Sequence, residues 1–454
     1  MSYARSLPQP YPAFNFRRWA WLALAAALLV AAIGAAADRL RSPPTPATVA
    51  SRAAYGPASF AEALEATERR VVAGRKATAR APDDWLPAEQ LASALIARSR
   101  LTGSYPDLAE ADRLLDRGLS IAPDPAGPVL TQAALALYTH RLDKADAGLA
   151  RFARWKVPNR ADKAYAMAMA GDIALQRGRL DEAAGQYAMS EAMAPSLGTE
   201  LRQASLAAAR GRREDAIGTL EKVLGRPHRQ RSDFAQLALQ RANLAYAQGQ
   251  WEVAGRWIAA ANRTYRGDWL GEAYAAQQQA LAGHGERAIA AYEAIAKRTG
   301  RPEVMDALAH LLRLEGQANA SHQWAERAAR GWEARQALFP EAAAAHYAEH
   351  ELALGRVDRA LALAEADVAR RPYGPSIALL ARALILSGRP REALSWLDRS
   401  ERQGWVSAGQ LMLRADAAAA LGDRAGSDAA RARAEALNPR AADPLTRLIW
   451  FGHD

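Results

Sequence analysis

The chain has 454 residues, of which 50% are hydrophobic, 24% charged and 7% aromatic, and its formal net charge is +10. This composition is typical of a globular protein and excludes disorder along the whole chain. The sequence contains no cysteine, which excludes disulfides, thiolate metal sites and cysteine nucleophiles. The positive charge comes from 53 Arg against 6 Lys, a bias that indicates a GC-rich genome rather than nucleic-acid binding.

An uncharged segment follows the N-terminal tail of residues 1–18. Residues 19–37 form an apolar run whose helix would be about 28 Å long, close to the hydrocarbon thickness of a bilayer. The sequence predicts a single transmembrane helix here. The alternative is a cleaved secretory signal peptide, because the alanines at 35–37 match a small-residue cleavage site. Arg17 and Arg18 favour an N-inside orientation, which predicts an inner (cytoplasmic) membrane protein whose main part is periplasmic.

Two connecting pieces come next. Residues 38–57 are rich in Pro and Ala and are typical of a semi-extended linker. Residues 58–80 predict an amphipathic helix, which would cap the N-terminal end of a repeat array. Its apolar positions recur at helical spacing: Phe60, Leu64, Thr67 and Val71.

The rest of the chain repeats itself at intervals of 33 to 39 residues. The turn residue of each unit serves as its anchor: His140, Gly178, Gly211, Gly249, Gly283, Gly316, Gly355, Gly388 and Gly422. Nine aligned units and one degenerate unit at 88–123 predict a solenoid over 86–440, followed by a C-terminal tail at 441–454. Three long intervals mark insertions or extended helices, near 155–162, 226–232 and 333–341.

Two columns of small residues run through all nine units. Seven positions before the anchors stand Ala133, Gly171, Ala204, Ala242, Ala276, Ala309, Ala348, Ala381 and Ala415. Five positions after the anchors stand Ala145, Ala183, Ala216, Ala254, Ala288, Ser321, Ala360, Ala393 and Ser427. Small side chains on two facing helices allow close approach of their backbones. Each unit is therefore predicted to be two antiparallel helices around a short turn, in which Gly supplies the left-handed conformation.

This pattern of small residue, Gly, Ala and a larger apolar residue at about 34 residues resembles the tetratricopeptide repeat (TPR) family, over roughly 125–440. The resemblance implies an all-α fold, a right-handed superhelix of helix pairs with a concave peptide-binding groove. The sequence departs from the family pattern at Val129, Glu200, Glu272 and Arg431.

A polar column lies six positions before the anchors, where the resemblance implies a groove-lining position. Its members are Asp172, Ser205, Asn243, Gln277, His310, Glu349, Arg382 and Asp416, and we call it the ladder. Tyr246 and Arg313 lie three positions before their anchors and flank it. Hydrogen-bonding and apolar side chains together suit a bound peptide. The alternative is a polar column that only keeps the groove hydrated.

One short motif suggests other chemistry. His346, Glu349 and His350 form an H-x-x-E-H sequence, which resembles the motif of inverted zinc peptidases. The segment lies inside a predicted repeat helix, with Ala348 in a small-residue column, and this placement favours a structural role.

Together these features predict a membrane-anchored scaffold that binds protein or peptide partners, without catalysis, cofactor or bound metal and without nucleic acid. The predicted process is bacterial envelope assembly, such as polysaccharide or cell-wall synthesis and export, or secretion. Three alternatives stay open: a binder of an anionic polysaccharide through the basic solenoid, a zinc-dependent hydrolase using the H-x-x-E-H segment, and a cytoplasmic adaptor if the membrane topology is inverted.

Overall fold

The computed structural model describes residues 45–50, 55–226 and 230–452. Its α-helices follow in chain order: α1 (Pro46–Ala50), α2 (Phe60–Arg80), α3 (Trp85–Thr102), α4 (Tyr105–Ile121), α5 (Val129–Tyr138), α6 (Leu142–Phe152), α7 (Arg160–Gln176), α8 (Leu180–Met193), α9 (Leu197–Ala209), α10 (Arg213–Leu224), α11 (Arg231–Ala247), α12 (Trp251–Thr264), α13 (Trp269–Leu281), α14 (Gly285–Thr299), α15 (Pro302–Leu314), α16 (Ala318–Leu338), α17 (Pro340–Leu354), α18 (Val357–Arg370), α19 (Gly374–Leu386), α20 (Pro390–Arg402), α21 (Ala408–Ala420) and α22 (Arg424–Leu437). A short 3₁₀ helix, Pro444–Leu448, comes last.

The all-α prediction is confirmed for the described residues, whose only β-type pairings are two isolated bridges. From α3 onward the helices form antiparallel pairs, each with an odd-numbered first helix and an even-numbered second helix. All nine anchors lie in the turn within a pair. Five first helices begin at a side chain that accepts a hydrogen bond from the first turn. These N-caps are Asp84, Asn159, Ser196, Asp268 and Ser407.

The two small-residue columns form the seam inside each pair, and every member of both is buried. Ser321 shows that the columns face each other, because its Oγ donates to the Ala309 carbonyl oxygen at 2.7 Å. Gly171 is the one glycine in the first column, and a Cβ there would lie 2.6 Å from Cδ1 of Tyr187. The Tyr187 ring therefore leaves room only for glycine at position 171.

The turns within pairs explain the anchor glycines. At eight anchors φ is positive, between 58° and 80°. The next residue then donates its N–H to a carbonyl in the last turn of the first helix, as Arg179 does to Ala174 at 2.8 Å. Gly355 is the exception to the predicted left-handed conformation, with φ of −120°. In this turn the Glu351 carboxylate accepts the Arg356 N–H at 2.8 Å and takes the place of the backbone acceptor.

The first helices line the inner side of the curved chain, because those of successive pairs contact one another while second helices of successive pairs do so far less. We call the surface formed by the first helices the groove. Contacts between successive first helices are close from α3 to α9 and from α15 to α21. They are weaker between α9, α11, α13 and α15.

The curved chain also meets itself one superhelical turn later. Val406 donates its N–H to the Ala209 carbonyl at 2.9 Å, and Phe60 donates to Arg266 at 2.8 Å. The Arg301 guanidinium reaches the Leu101 carbonyl at 2.9 Å. We call these the inter-turn contacts. They join positions separated by five to six helix pairs, so the helix pairs close into successive stacked turns.

The predicted membrane location needs correction. No helix in the part of the chain that the structure describes is long and apolar enough to span a bilayer. The two longest helices, α2 and α16, have 21 residues each, but both carry charged side chains along their length. A single-pass protein of the inner membrane is therefore not upheld. The predicted transmembrane helix at 19–37, its alternative cleavage site at 35–37 and most of the 38–57 linker lie outside the described residues.

Candidate functional site

The chain's own C-terminal segment occupies the part of the groove formed by α11, α13 and α15. We call residues 444–452 the tail segment. Its main chain is bound by Gln277, a ladder residue on α13 whose side chain is fully buried. Gln277 Oε1 accepts the N–H groups of Trp450 and Phe451 at 2.7 and 2.8 Å, and Gln277 Nε2 donates to the Phe451 carbonyl at 3.0 Å. One amide side chain thus satisfies three main-chain groups of two consecutive residues.

An aromatic pocket beside Gln277 holds the Phe451 side chain, which is 8% exposed. Its ring centroid lies 5.8 Å from that of Tyr274, 6.3 Å from Trp269 and 6.4 Å from Tyr292. Burial raises the pKa of Tyr292 well above its ordinary value, so its phenol stays neutral. The pocket therefore combines an uncharged aromatic wall with one amide, which suits an apolar side chain on a hydrogen-bonded backbone.

Two further ladder residues contact the tail segment on either side of Gln277. His310 Nε2 donates to the Arg447 carbonyl at 2.8 Å, and its ring lies 5.3 Å from that of Trp450. Burial lowers the pKa of His310, which favours the neutral ring. Asn243 lies beside Gly452 at the other end. The tail segment therefore runs antiparallel to the order of the repeats, from α15 past α13 to α11.

Tyr246 supports this region from behind. Its ring stacks on Tyr274 with centroids 6.2 Å apart, and its hydroxyl oxygen accepts a hydrogen bond from Gln278 at 2.7 Å. Burial raises the pKa of Tyr246 to about 12. The Tyr274 hydroxyl donates to Asn243 Oδ1. Tyr246 is 2% exposed and so positions the wall of the pocket without contributing to its surface.

Two charged ladder residues, Glu349 and Arg382, follow His310 along the ladder. Arg382 on α19 is exposed, but the surrounding protein removes part of its water and so lowers its pKa despite the neighbouring Glu349. Arg313 donates to the Ala353 carbonyl. Glu349 pairs with His346 at 3.2 Å. This stretch of the groove carries both signs of charge.

The ladder residues at its two ends are arranged differently. Asp172 accepts hydrogen bonds from Arg202 Nε and from the Tyr187 hydroxyl, at 2.8 and 2.9 Å, and lines a cavity of about 270 Å³. Ser205 and Asp416 are exposed. The structure therefore brings Asn243, Gln277 and His310 together on one peptide segment, while Asp172 is bonded to Tyr187 of its own pair and to Arg202 of the next pair.

The H-x-x-E-H segment lies on α17, where its two histidines bind different carboxylates. His350 is buried and its Nδ1 lies 2.6 Å from Asp306, which also accepts the Trp332 indole N–H. His346 is exposed, pairs with Glu349 and stacks on Trp332. In the ranges that the structure describes, no group of three His, Asp or Glu side chains could hold a metal ion.

The sequence analysis missed the role of the tail segment and treated it as a plain C-terminal tail. A signal was present: Leu448, Ile449, Trp450 and Phe451 form an apolar run after the last repeat, with no further helix pair to cover it.

No protein-family model and no curated protein matches this sequence. Solved structures with a similar fold include the Rap protein complexed with Competence and Sporulation Factor, at 12% identity and a TM-score of 0.41, covering 69% of this chain and 98% of that one. A tetratricopeptide repeat protein from Parabacteroides merdae has 13% identity and a TM-score of 0.34, covering 55% and 97%. Yeast Tom70 has 13% identity and a TM-score of 0.39, covering 88% and 91%.

The helix pairs and their buried seams show that the described chain is a solenoid.

Proposed function

We propose that this protein is an interaction scaffold whose groove binds a segment of a partner polypeptide. The observation that carries the proposal is the bonding of Gln277 to the peptide groups of Trp450 and Phe451. A ladder that binds one segment by its main chain has the chemistry to bind another of different sequence, because every peptide offers the same N–H and C=O groups.

The charged ladder residues supply selectivity in this proposal. Glu349 and Arg382 face the groove beyond the tail segment and would favour partner segments with complementary charges. The same mixture of signs argues against an anionic polysaccharide as ligand, because such a polymer favours a track of one sign. Several other arginines are also already neutralised, as Arg141 is by Asp112 at 2.8 Å. The predicted role in envelope assembly depended on the membrane location and is not carried into this proposal.

The test is selection of peptides from a phage-displayed random library on the full chain. Peptides selected by the wild type should bind the double variant Glu349→Ala with Arg382→Ala more weakly. The expected loss is about 1.5–3 kcal/mol for each hydrogen bond that involves a charged group. The matched control is Glu293→Ala with Lys297→Ala, which removes an exposed ion pair on the second helix α14.

The control should bind the selected peptides as the wild type does. Circular dichroism should show the same helix content and melting temperature for all three proteins. If the groove variant is folded and binds every selected peptide as well as the wild type, the groove is not the binding site.

A further inference from the structure

The tail segment differs from a structural element of the solenoid. Each helix pair closes its own seam through the two small-residue columns, and none of those columns includes a residue of the tail segment. The tail segment is joined to α22 only through residues 438–443 and has a single turn of 3₁₀ helix. It contacts the groove through the ladder side chains of Gln277 and His310 and through the aromatic pocket that holds Phe451, and it contributes no helix to any pair.

The contacts also define what kind of segment fits. Gln277 binds two consecutive N–H groups and the carbonyl of the second residue. Both N–H groups reach one oxygen atom where the chain bends, at residues 451–452. The pocket of Trp269, Tyr274 and Tyr292 accepts an aromatic ring at that second residue. The His310 ring packs against an aromatic ring at the first residue, the place of Trp450. His310 also donates a hydrogen bond to the carbonyl three residues before it, the place of Arg447.

From these contacts we propose that the tail segment is an exchangeable occupant of the groove. The partner that replaces it is a polypeptide segment with two adjacent aromatic residues in the places of Trp450 and Phe451. This inference rests on the function proposed above and adds to it the class of ligand and its regulation by the chain's own end.

Exchange, rather than simple opening, follows from the polar groups at the site. Departure of the tail segment would leave the buried Gln277 amide without three hydrogen bonds and would expose three aromatic rings. A partner segment of the same chemistry restores both. Because the tail segment is covalently linked, its effective concentration at the groove is of the order of mM, and a separate peptide must compete with it.

The experiment measures binding of a fluorescein-labelled peptide with the sequence of residues 443–452, DPLTRLIWFG, by fluorescence anisotropy. The proteins are full chains: the wild type, and the variant Trp450→Ala with Phe451→Ala. The control is Leu445→Ala, since Leu445 belongs to the tail segment but is 40% exposed. A free groove has a lower apparent Kd than an occupied one, so the double variant should bind the peptide at least about tenfold more tightly than the wild type.

The control should bind the peptide as weakly as the wild type. Adding Gln277→Met to the double variant keeps the side-chain volume similar but removes the amide, and should abolish the gain. A labelled peptide with alanine in both aromatic places should bind none of the proteins. Equal affinity of wild type and folded double variant, or no binding to the double variant at peptide concentrations up to the mM range, overturns the proposal.

A second measurement on the wild type removes any dependence on the folding of the variant. The amide protons of Trp450 and Phe451, which donate to Gln277, should exchange with deuterium slowly in the free protein and faster as peptide is added. Unchanged exchange of both amides at peptide concentrations up to the mM range refutes displacement. Failure here, together with loss of library peptides in the Glu349 and Arg382 variant, would leave the proposed function intact and reject only the exchangeable tail segment.

Discussion

The seam of a single helix pair gives a quantitative prediction at Gly171. Changing Gly171 to alanine places a methyl group 2.6 Å from Tyr187 Cδ1, well inside ordinary contact distance. Tyr187 has little room to move, because it is 1% exposed and its hydroxyl is bonded to Asp172 at 2.9 Å. Overpacking of this kind costs about 1–3 kcal/mol. The helix propensity of alanine returns about 1 kcal/mol, so the net effect is a loss of about 0–2 kcal/mol.

Gly185 is the matched control for this substitution. It lies on α8 in the same helix pair, and a Cβ there would have nothing within 4 Å. Gly185→Ala should therefore stabilise the protein by about 1 kcal/mol. The difference between the two variants isolates the overpacking term, about 1–3 kcal/mol.

The assay is urea unfolding of the full chain, followed by far-UV circular dichroism. The midpoints of the wild type and the two variants are compared using one common m-value. Three other units have leucine at the position of Tyr187: Leu149, Leu220 and Leu397. Gly171→Ala should consequently cost less in a Tyr187→Leu background, as a double-mutant cycle would show. If Gly171→Ala stabilises the protein as much as Gly185→Ala does, the close seam between the two columns is wrong.

Three further predictions concern other turns and seams. His140 has positive φ where the related turns have glycine, and burial lowers its pKa to about 3. The unfolded chain therefore binds a proton at His140 more readily than the folded protein does. The free energy of unfolding consequently falls as the pH drops below about 6.5, the ordinary pKa of histidine. His140→Gly should thus match or exceed the wild-type melting temperature at pH 7.5, with a gain of about 1 kcal/mol appearing at pH 5.5, and a pH-independent difference would contradict this. Ala381→Leu should cost about 1–3 kcal/mol by overpacking the seam of α19 and α20, measured as a lower urea midpoint; an unchanged midpoint would show that the seam has spare room. Glu351→Ala should cost about 1–3 kcal/mol by leaving the Arg356 N–H without its acceptor, measured as a lower urea midpoint; Glu351→Gln keeps an oxygen acceptor and should cost less, and equal losses in the two variants would contradict the role of this bond.

The features that could be predicted from the sequence are those that recur from one repeat to the next: the helix pairs, their turns and the two small-residue columns. A small residue seven positions before each anchor and another five after it are required by close helix packing, and both columns are buried throughout. The conformation of Gly355 could not be predicted this way, since it depends on a carboxylate four residues earlier that is particular to its unit.

The contents of the groove were beyond prediction for a different physical reason. Periodicity places Gln277 and His310 on the same face as Asn243, but it carries no information about a segment more than 130 residues away in the chain. The inter-turn contacts have the same origin. They depend on how much each helix pair rotates against the next, and small differences in side-chain volume accumulate over five to six pairs before the chain meets itself.

The inter-turn contacts change how this solenoid would respond to force and to editing. An open array of helix pairs stretches like a spring, because each pair bears only on its neighbours. Here the hydrogen bonds between Val406 and Ala209 and between Arg301 and Leu101 join one superhelical turn to the next. A force that pulls the two ends apart must therefore break these bonds first. Removing a single repeat would shorten one superhelical turn, and the residues that form the inter-turn contacts across it would no longer lie opposite each other. Helix pairs in this protein are therefore not interchangeable modules, because the inter-turn contacts set the number of pairs between the positions that they join.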